Sequence, residues 1–296
     1  MNLCFVSAQK FPDRKCSSMG NGYTYKRVSL YLPEDFMPFV QADGIRIYYE
    51  KYGEGQPIVF VHPPLMGHVV FHYQKVLACD YQIILYDLRG HGRSSYRFSR
   101  GYDTVISENV RDLRLLITAL HISDPVIVGY SNGGLIALAY ACNYRDDVRA
   151  LILSGGYPTV DSLLLSGEYQ AGVLLMILKQ KRLLSLLLAF SHQVKKSDRE
   201  YLFHYAMKAE YQAVLDLYRA GRCFNAVDQL PSLQSLPLLV LYGTRDRFVS
   251  KHKKYFASLS CAEIVYIDHA FHQLPMRQYD VFNRLVDRFI KDRPGK

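Results

Sequence analysis

Six apolar runs recur along the chain: PIVFVH (57–62), QIILYDLRG (82–90), PVIVGYS (125–131), RALILSGG (149–156), LPLLVLYG (236–243) and AEIVYID (262–268). Their apolar residues follow one another without polar alternation, which predicts strands buried on both faces of a parallel sheet. Ahead of them, FVQADGIRIYYEKYG (39–53) reads as two strands around Asp43-Gly44, a strong hairpin signal. Helical periodicity lies between and after the runs. In SENVRDLRLLITALHI (107–122), Val110, Leu113, Leu116, Ile117 and Leu120 share a face and Ser107 is placed to cap the N-terminus. YDVFNRLVDRFI (279–290) repeats the pattern with Tyr279, Phe282, Leu285, Val286 and Phe289. Alternating strands and helices predict an α/β fold, a doubly wound and mostly parallel sheet.

The rhythm breaks from Tyr157 to Ser235, where leucine-rich helical stretches such as GVLLMILKQKRLLSLLLAF (172–190) replace strand patterns. The sequence Lys179-Gln180-Lys181-Arg182 interrupts the longest apolar stretch, so it does not read as a membrane helix. An all-helical insertion between two strands reads as a lid over the carboxyl edge of the sheet, where α/β folds place ligands. The predicted organisation is a core of residues 37–156 and 236–296 with a helical cap over 157–235. Residues 1–36, polar and irregular, are expected to be a disordered extension or an artefact of start-site choice, Met37 being the other start.

Composition changes this picture little. At 296 residues and 49% hydrophobic, the chain has material for a large core. Six cysteines without a CxxC pair favour reduced thiols, and the short apolar patch in MNLCFVSAQKFPDRK is neither signal peptide nor span, so the expected location is cytoplasmic. The net charge of +9 is spread over small clusters without interleaved aromatics. That pattern reads as solvated helix faces and not a nucleic-acid platform, leaving a mild preference for anionic substrates or lipid surfaces. The expected partners are a small apolar substrate, no nucleic acid and no integral membrane association, with the chain a monomer or homodimer.

Within this frame PVIVGYSNGG carries the chemistry. A buried strand turning into a helix through G-x-S-x-G strains the serine backbone and exposes its hydroxyl, making Ser131 a candidate nucleophile; the bland alternative is a Gly-rich turn with an unreactive serine. A nucleophilic serine needs a base, and the base needs an orienting carboxylate. Asp246 follows the strand LPLLVLYG, and Asp268-His269-Ala270-Phe271-His272 follows the last strand. The alternative position for the acid, Ser154-Gly155-Gly156, offers none. Of other features, His68 and His72 have i, i+4 spacing but no intervening glutamate motif for zinc, and Arg89, His91 and Arg93 are expected to fix loop geometry.

From about Pro38 to its end the chain resembles the α/β-hydrolase superfamily. The resemblance rests on the elbow, on YDLRGHGRS (86–94), on the helix NVRDLRLLITAL before the nucleophile strand, and on His272 standing ten residues before Phe282-Asn283. It implies a triad of Ser131, Asp246 and His272, with His269 the competing base, and an oxyanion hole from the N–H groups of Asn132 and of the loop after His62. Two departures stand out. Phe271 replaces the usual glycine before the base, and His62-Pro63-Pro64-Leu65 replaces H-G-x, so that Pro64 has no N–H to give and Leu65 or Met66 must donate instead. His62, Pro64 and Tyr130 are expected at the substrate.

The expected activity is hydrolysis of a small apolar ester, thioester or lactone, with no cofactor and no metal. The Pro63-Pro64 loop keeps open a ligand-binding regulatory protein with little turnover, or a non-hydrolytic lyase or cofactor-free oxygenase.

Overall fold

A computed structural model describes residues 3–6, 38–98 and 101–293. Its strands are β1 (Leu3–Val6), β2 (Phe39–Ala42), β3 (Ile45–Tyr52), β4 (Gln56–Val61), β5 (Tyr81–Tyr86), β6 (Val126–Tyr130), β7 (Ala150–Ser154), β8 (Leu238–Gly243) and β9 (Ala262–Ile267). Its α-helices are α1 (Val105–Ala119), α2 (Gly133–Asn143), α3 (Leu163–Ile177), α4 (Lys181–His192), α5 (Lys196–Ala206), α6 (Tyr211–Cys223), α7 (Lys253–Phe256), α8 (Leu274–Arg277) and α9 (Tyr279–Lys291).

All strands join one sheet in the order β1-β9-β8-β7-β6-β4-β5-β3-β2. The β2–β3 and β3–β5 pairs are antiparallel and the rest parallel. The hairpin turns at Asp43 (φ 49°) and Gly44 (φ 82°), the left-handed pair a two-residue turn demands. Each of the six apolar runs carries a strand, and the reason they are continuous is visible in the packing. Val59, Ile127, Leu151 and Val240 face one layer with α1 and α2, whereas Ile58, Val128, Ile152 and Leu239 face the other with α9 and the 3-10 segment His68–Cys79. Neighbouring residues thus point to opposite faces and both are dry.

Helices α3 to α6 lie in sequence between β7 and β8, with a small core of their own in which Met176, Leu184, Ala206 and Val214 enclose Leu65 from the loop after β4. Two details depart from the sequence reading. Helix α1 begins two residues ahead of Ser107, whose Oγ donates to the Thr104 carbonyl inside the first turn instead of capping it. In the N-terminal extension Leu3–Val6 lies parallel to β9 as an edge strand, while residues 7–37 lie outside the described residues.

Candidate active site

The strands β6, β8 and β9 end at one edge of the sheet, and their loops carry Ser131, Asp246 and His272. Ser131 sits between β6 and α2 with φ 53°, a left-handed conformation that a non-glycine residue holds only under constraint. That constraint is close packing: a Cβ on Gly129 would stand 2.6 Å from Gly134 Cα, and one on Gly133 would stand 2.3 Å from the Val61 carbonyl oxygen. The Ser131 N–H donates to the Ser154 carbonyl at 2.9 Å, tying the elbow to β7.

Ser131 Oγ lies 2.8 Å from His272 Nε2, and His272 Nδ1 lies 2.8 Å from Asp246 Oδ2. The other Asp246 oxygen accepts the N–H groups of Phe248 (3.0 Å) and Val249 (3.3 Å), which fixes the carboxylate. Burial opposes charging the imidazole, but the Asp246 carboxylate, by charge and hydrogen bond, and Glu168 at longer range outweigh it and raise the His272 pKa above its ordinary value. Burial likewise works against the Asp246 charge, and His272 with the two backbone donors overcomes it, holding that carboxyl below the ordinary range. His269, the competing histidine, is largely exposed and meets Asp268 and Arg245 instead.

A cavity of about 150 Å³ opens over Ser131, walled by Pro63, Pro64, Met66 and Tyr130 from the core and by Leu165, Glu168, Leu188 and His192 from α3 and α4. Glu168 stands between Leu165 and Tyr169 of the inward stripe of α3 and lines this cavity while keeping an exposed surface of its own, and partial desolvation there pushes its pKa up despite the pull of His272.

Of the other residues expected at the substrate, Pro64 and Tyr130 line the cavity and His62 does not. His62 is fully buried behind the loop, its Nδ1–H donating to Pro63 O (2.8 Å) and its Nε2 accepting the Leu88 N–H (2.9 Å). Burial lowers its pKa to about 3, so it is a neutral brace for the loop and not a substrate contact. Tyr130 donates its O–H to His192 Nε2 at 2.9 Å, since His192 Nδ1 is turned to the Leu188 carbonyl (2.7 Å). Leu65 buries its side chain in the insertion and holds φ 72°, and Asn132 is the N-cap residue of α2.

Three features carry no sequence signal of the motif kind. Asn132 Nδ2 donates to Tyr169 OH at 2.8 Å, and Tyr169 OH lies 2.6 Å from Tyr157 OH. Tyr157 and Tyr169 both line the cavity over Ser131. Gly155, in the position that offered no acid, leaves room for the base: a Cβ there would stand 2.5 Å from His272 Cε1. The third is Glu168.

Beneath the site, Asp87 of the RGHG loop accepts the His68 N–H (3.0 Å), His68 Nδ1 (2.8 Å), the Arg93 N–H (2.9 Å) and Tyr205 OH (2.7 Å), while Arg89 clasps Asp112 and Glu108. His68 therefore belongs to a buried ion network with Asp87 and Glu50, and His72 faces Asp198. Among the described residues no group of three or more His, Cys, Asp or Glu is arranged to hold a metal ion, and no helix is long and apolar enough to cross a membrane.

Comparison with known proteins gives the family and the fold. The family model for serine aminopeptidase, S33, matches residues 69–277. An AB hydrolase superfamily protein, YisY of Bacillus subtilis, is 24% identical over 266 residues, covering 83% of this chain and 95% of its own. The putative carbamate hydrolase RutD of Azorhizobium caulinodans is 30% identical over 130 residues, covering 43% of this chain and 48% of its own. Among solved structures, an esterase from Exiguobacterium antarcticum superposes with a TM-score of 0.77 at 22% identity, over 86% of this chain and 98% of that one. The chain belongs to the serine aminopeptidase S33 family of the α/β-hydrolase superfamily and is a hydrolase.

Proposed function

We propose that this hydrolase cleaves small carboxylic esters, thioesters or lactones through an acyl-enzyme on Ser131. The observation that carries the reading is the unbroken relay Ser131–His272–Asp246, both steps 2.8 Å, at the floor of a cavity. Ser131 Oγ attacks the acyl carbonyl while His272 Nε2 takes its proton, and Asp246 stabilises the imidazolium. The tetrahedral intermediate collapses as His272 returns the proton to the leaving alcohol, thiol or ring oxygen. Water then attacks the acyl-enzyme with His272 as base, releasing the acid and restoring Ser131.

The oxyanion is assigned to the Asn132 N–H at the start of α2 and to the Leu65 N–H, whose left-handed backbone reshapes the loop that Pro64 cannot serve. The lining of Pro63, Met66, Leu165 and Leu188 favours a short apolar acyl group. The esterase superposition supports the substrate class by similarity.

The test combines a fluorophosphonate probe with p-nitrophenyl esters of increasing acyl length. One adduct per chain on Ser131, absent in Ser131→Ala and His272→Ala, with multiple turnovers on the shorter esters, is the expected result. Labelling without turnover would favour the ligand-binding alternative, and no labelling of folded protein would overturn the nucleophile.

A further inference from the structure

We propose that the outer face of α3 and α4 docks peripherally on an anionic lipid membrane. On α4 the inward stripe is Leu184, Ser185, Ala189 and His192, and a helix facing water would carry polar groups on the other side. Instead, Leu183, Leu186, Leu187 and Phe190 are exposed, Phe190 at 62%. The neighbouring α3 and the turn after it expose Leu163, Leu174, Ile177 and Leu178 in the same manner, Leu163 at 94%. Ten of the sixteen large hydrophobic residues that are exposed among the described residues lie between Leu163 and Val194. An apolar face of this extent marks an interaction surface.

Charge selects the occupant. From Tyr169 to Ser197 the chain has no Asp or Glu but has Lys179, Lys181, Arg182, Lys195 and Lys196. Lys181 is engaged, its ammonium donating to the Met207 and Ala209 carbonyls, whereas Lys179, Arg182, Lys195 and Lys196 are exposed around the leucines. Arg199 and Glu200 on α5 offset one another at the edge of a surface groove lined by Leu186, Leu187, Phe190 and Phe203. A second copy on this face would set these cations against their own images, which is unfavourable. Lipid phosphates and carboxylates under a hydrocarbon layer satisfy both the cations and the leucines.

No described helix is long enough to span, so α3 and α4 would lie in the plane of the interface. Their opposite faces, through Leu165, Glu168, Leu188 and His192, line the cavity over Ser131. An apolar substrate partitioned in lipid therefore has one helix layer between it and the site. Docking does not depend on the ester reading, since binding is measured without substrate.

The test is flotation of the full chain with vesicles of phosphatidylcholine alone, or of about three parts phosphatidylcholine to one of phosphatidylserine. Three variants accompany it: Leu187→Ser/Phe190→Ser, Leu174→Gln alone, and Lys179→Glu/Arg182→Glu/Lys196→Glu, with far-UV circular dichroism, melting curves and Ser131 labelling as controls for folding. The wild type is expected to float with serine-containing vesicles and to dissociate as salt rises. Both apolar variants are expected to weaken binding at either composition. The charge variant is expected to weaken binding to the anionic vesicles roughly a hundredfold or more, at about fivefold per basic residue removed. Wild type that stays with the buffer, or folded apolar variants that float like wild type, would overturn the proposal. So would a stable dimer by sedimentation that the Phe190 variant dissociates, because the face would then belong to a second copy.

Discussion

Replacing Gly155 by alanine tests whether tertiary clearance around His272 sets the activity. Gly155 has φ 62°, so any side chain there costs about 1–2 kcal/mol of backbone strain. The larger effect is local. The new methyl would sit 2.5 Å from His272 Cε1 and 2.8 Å from Nδ1, so the ring must retreat by about 0.9 Å to regain a 3.4 Å contact. A ring held by 2.8 Å bonds at both nitrogens cannot make that move and keep both. Misplacement of a reacting group by about 1 Å costs on the order of a hundredfold, so kcat/KM on a p-nitrophenyl ester should fall about that far with KM little changed. The fold should persist, shown by a melting curve only a few degrees lower. Gly167→Ala is the companion: on the exposed side of α3 its Cβ meets nothing within 4 Å, and it should stabilise the helix by about 0.5–1 kcal/mol with activity intact. A Gly155→Ala enzyme as fast as wild type would refute the reasoning, because the base would then have freedom that the packing denies it.

Other variants probe the electrostatics. Asp246→Asn should reduce kcat by on the order of 10⁴ while leaving Ser131 in place, because the amide presents the wrong tautomer to the imidazole; a loss below tenfold on steady-state assay would contradict the assigned acid. His272 must be neutral to act as base, and its pKa is raised, so activity should fall as pH drops through a value above 6.5. Glu168→Gln removes a charge that favours the imidazolium, and the acid limb of the kcat/KM profile should move to lower pH; an unmoved limb would separate Glu168 from the base. Burial opposes charging His68, but its bonds and proximity to Asp87 and Glu50 prevail and raise it to about 9. A raised folded-state pKa means that this stabilisation is complete below about 6.5 and is lost as pH rises through about 9. Chemical denaturation across that window should show the decline in wild type and a flatter, lower profile in His68→Gln.

The strand runs were legible because burial on both faces leaves no room for polar residues, a condition each run records locally in its own composition. The doubly wound order and the helical insertion followed from the alternation of periods, and the elbow from glycines that have to admit a helix against a strand. The positions of Asp246 and His272 after their strands were also legible, since an α/β sheet sends the loops after its parallel strands to one edge. Tertiary structure alone decided the rest. That His272 and not His269 meets Ser131, that Gly155 clears the imidazole, and that His62 turns away from the cavity are outcomes of contacts between residues far apart in the chain. The relay from Asn132 through Tyr169 to Tyr157 joins the N-cap of α2, α3 and the loop after β7, and Glu168, exposed on its outer side, lines the cavity because its neighbours Leu165 and Tyr169 on α3 face inward. A sequence pattern reports the average environment of a residue. Which particular partner fills that environment is fixed by how the insertion packs over the sheet, where displacements of an ångström decide whether a hydrogen bond exists.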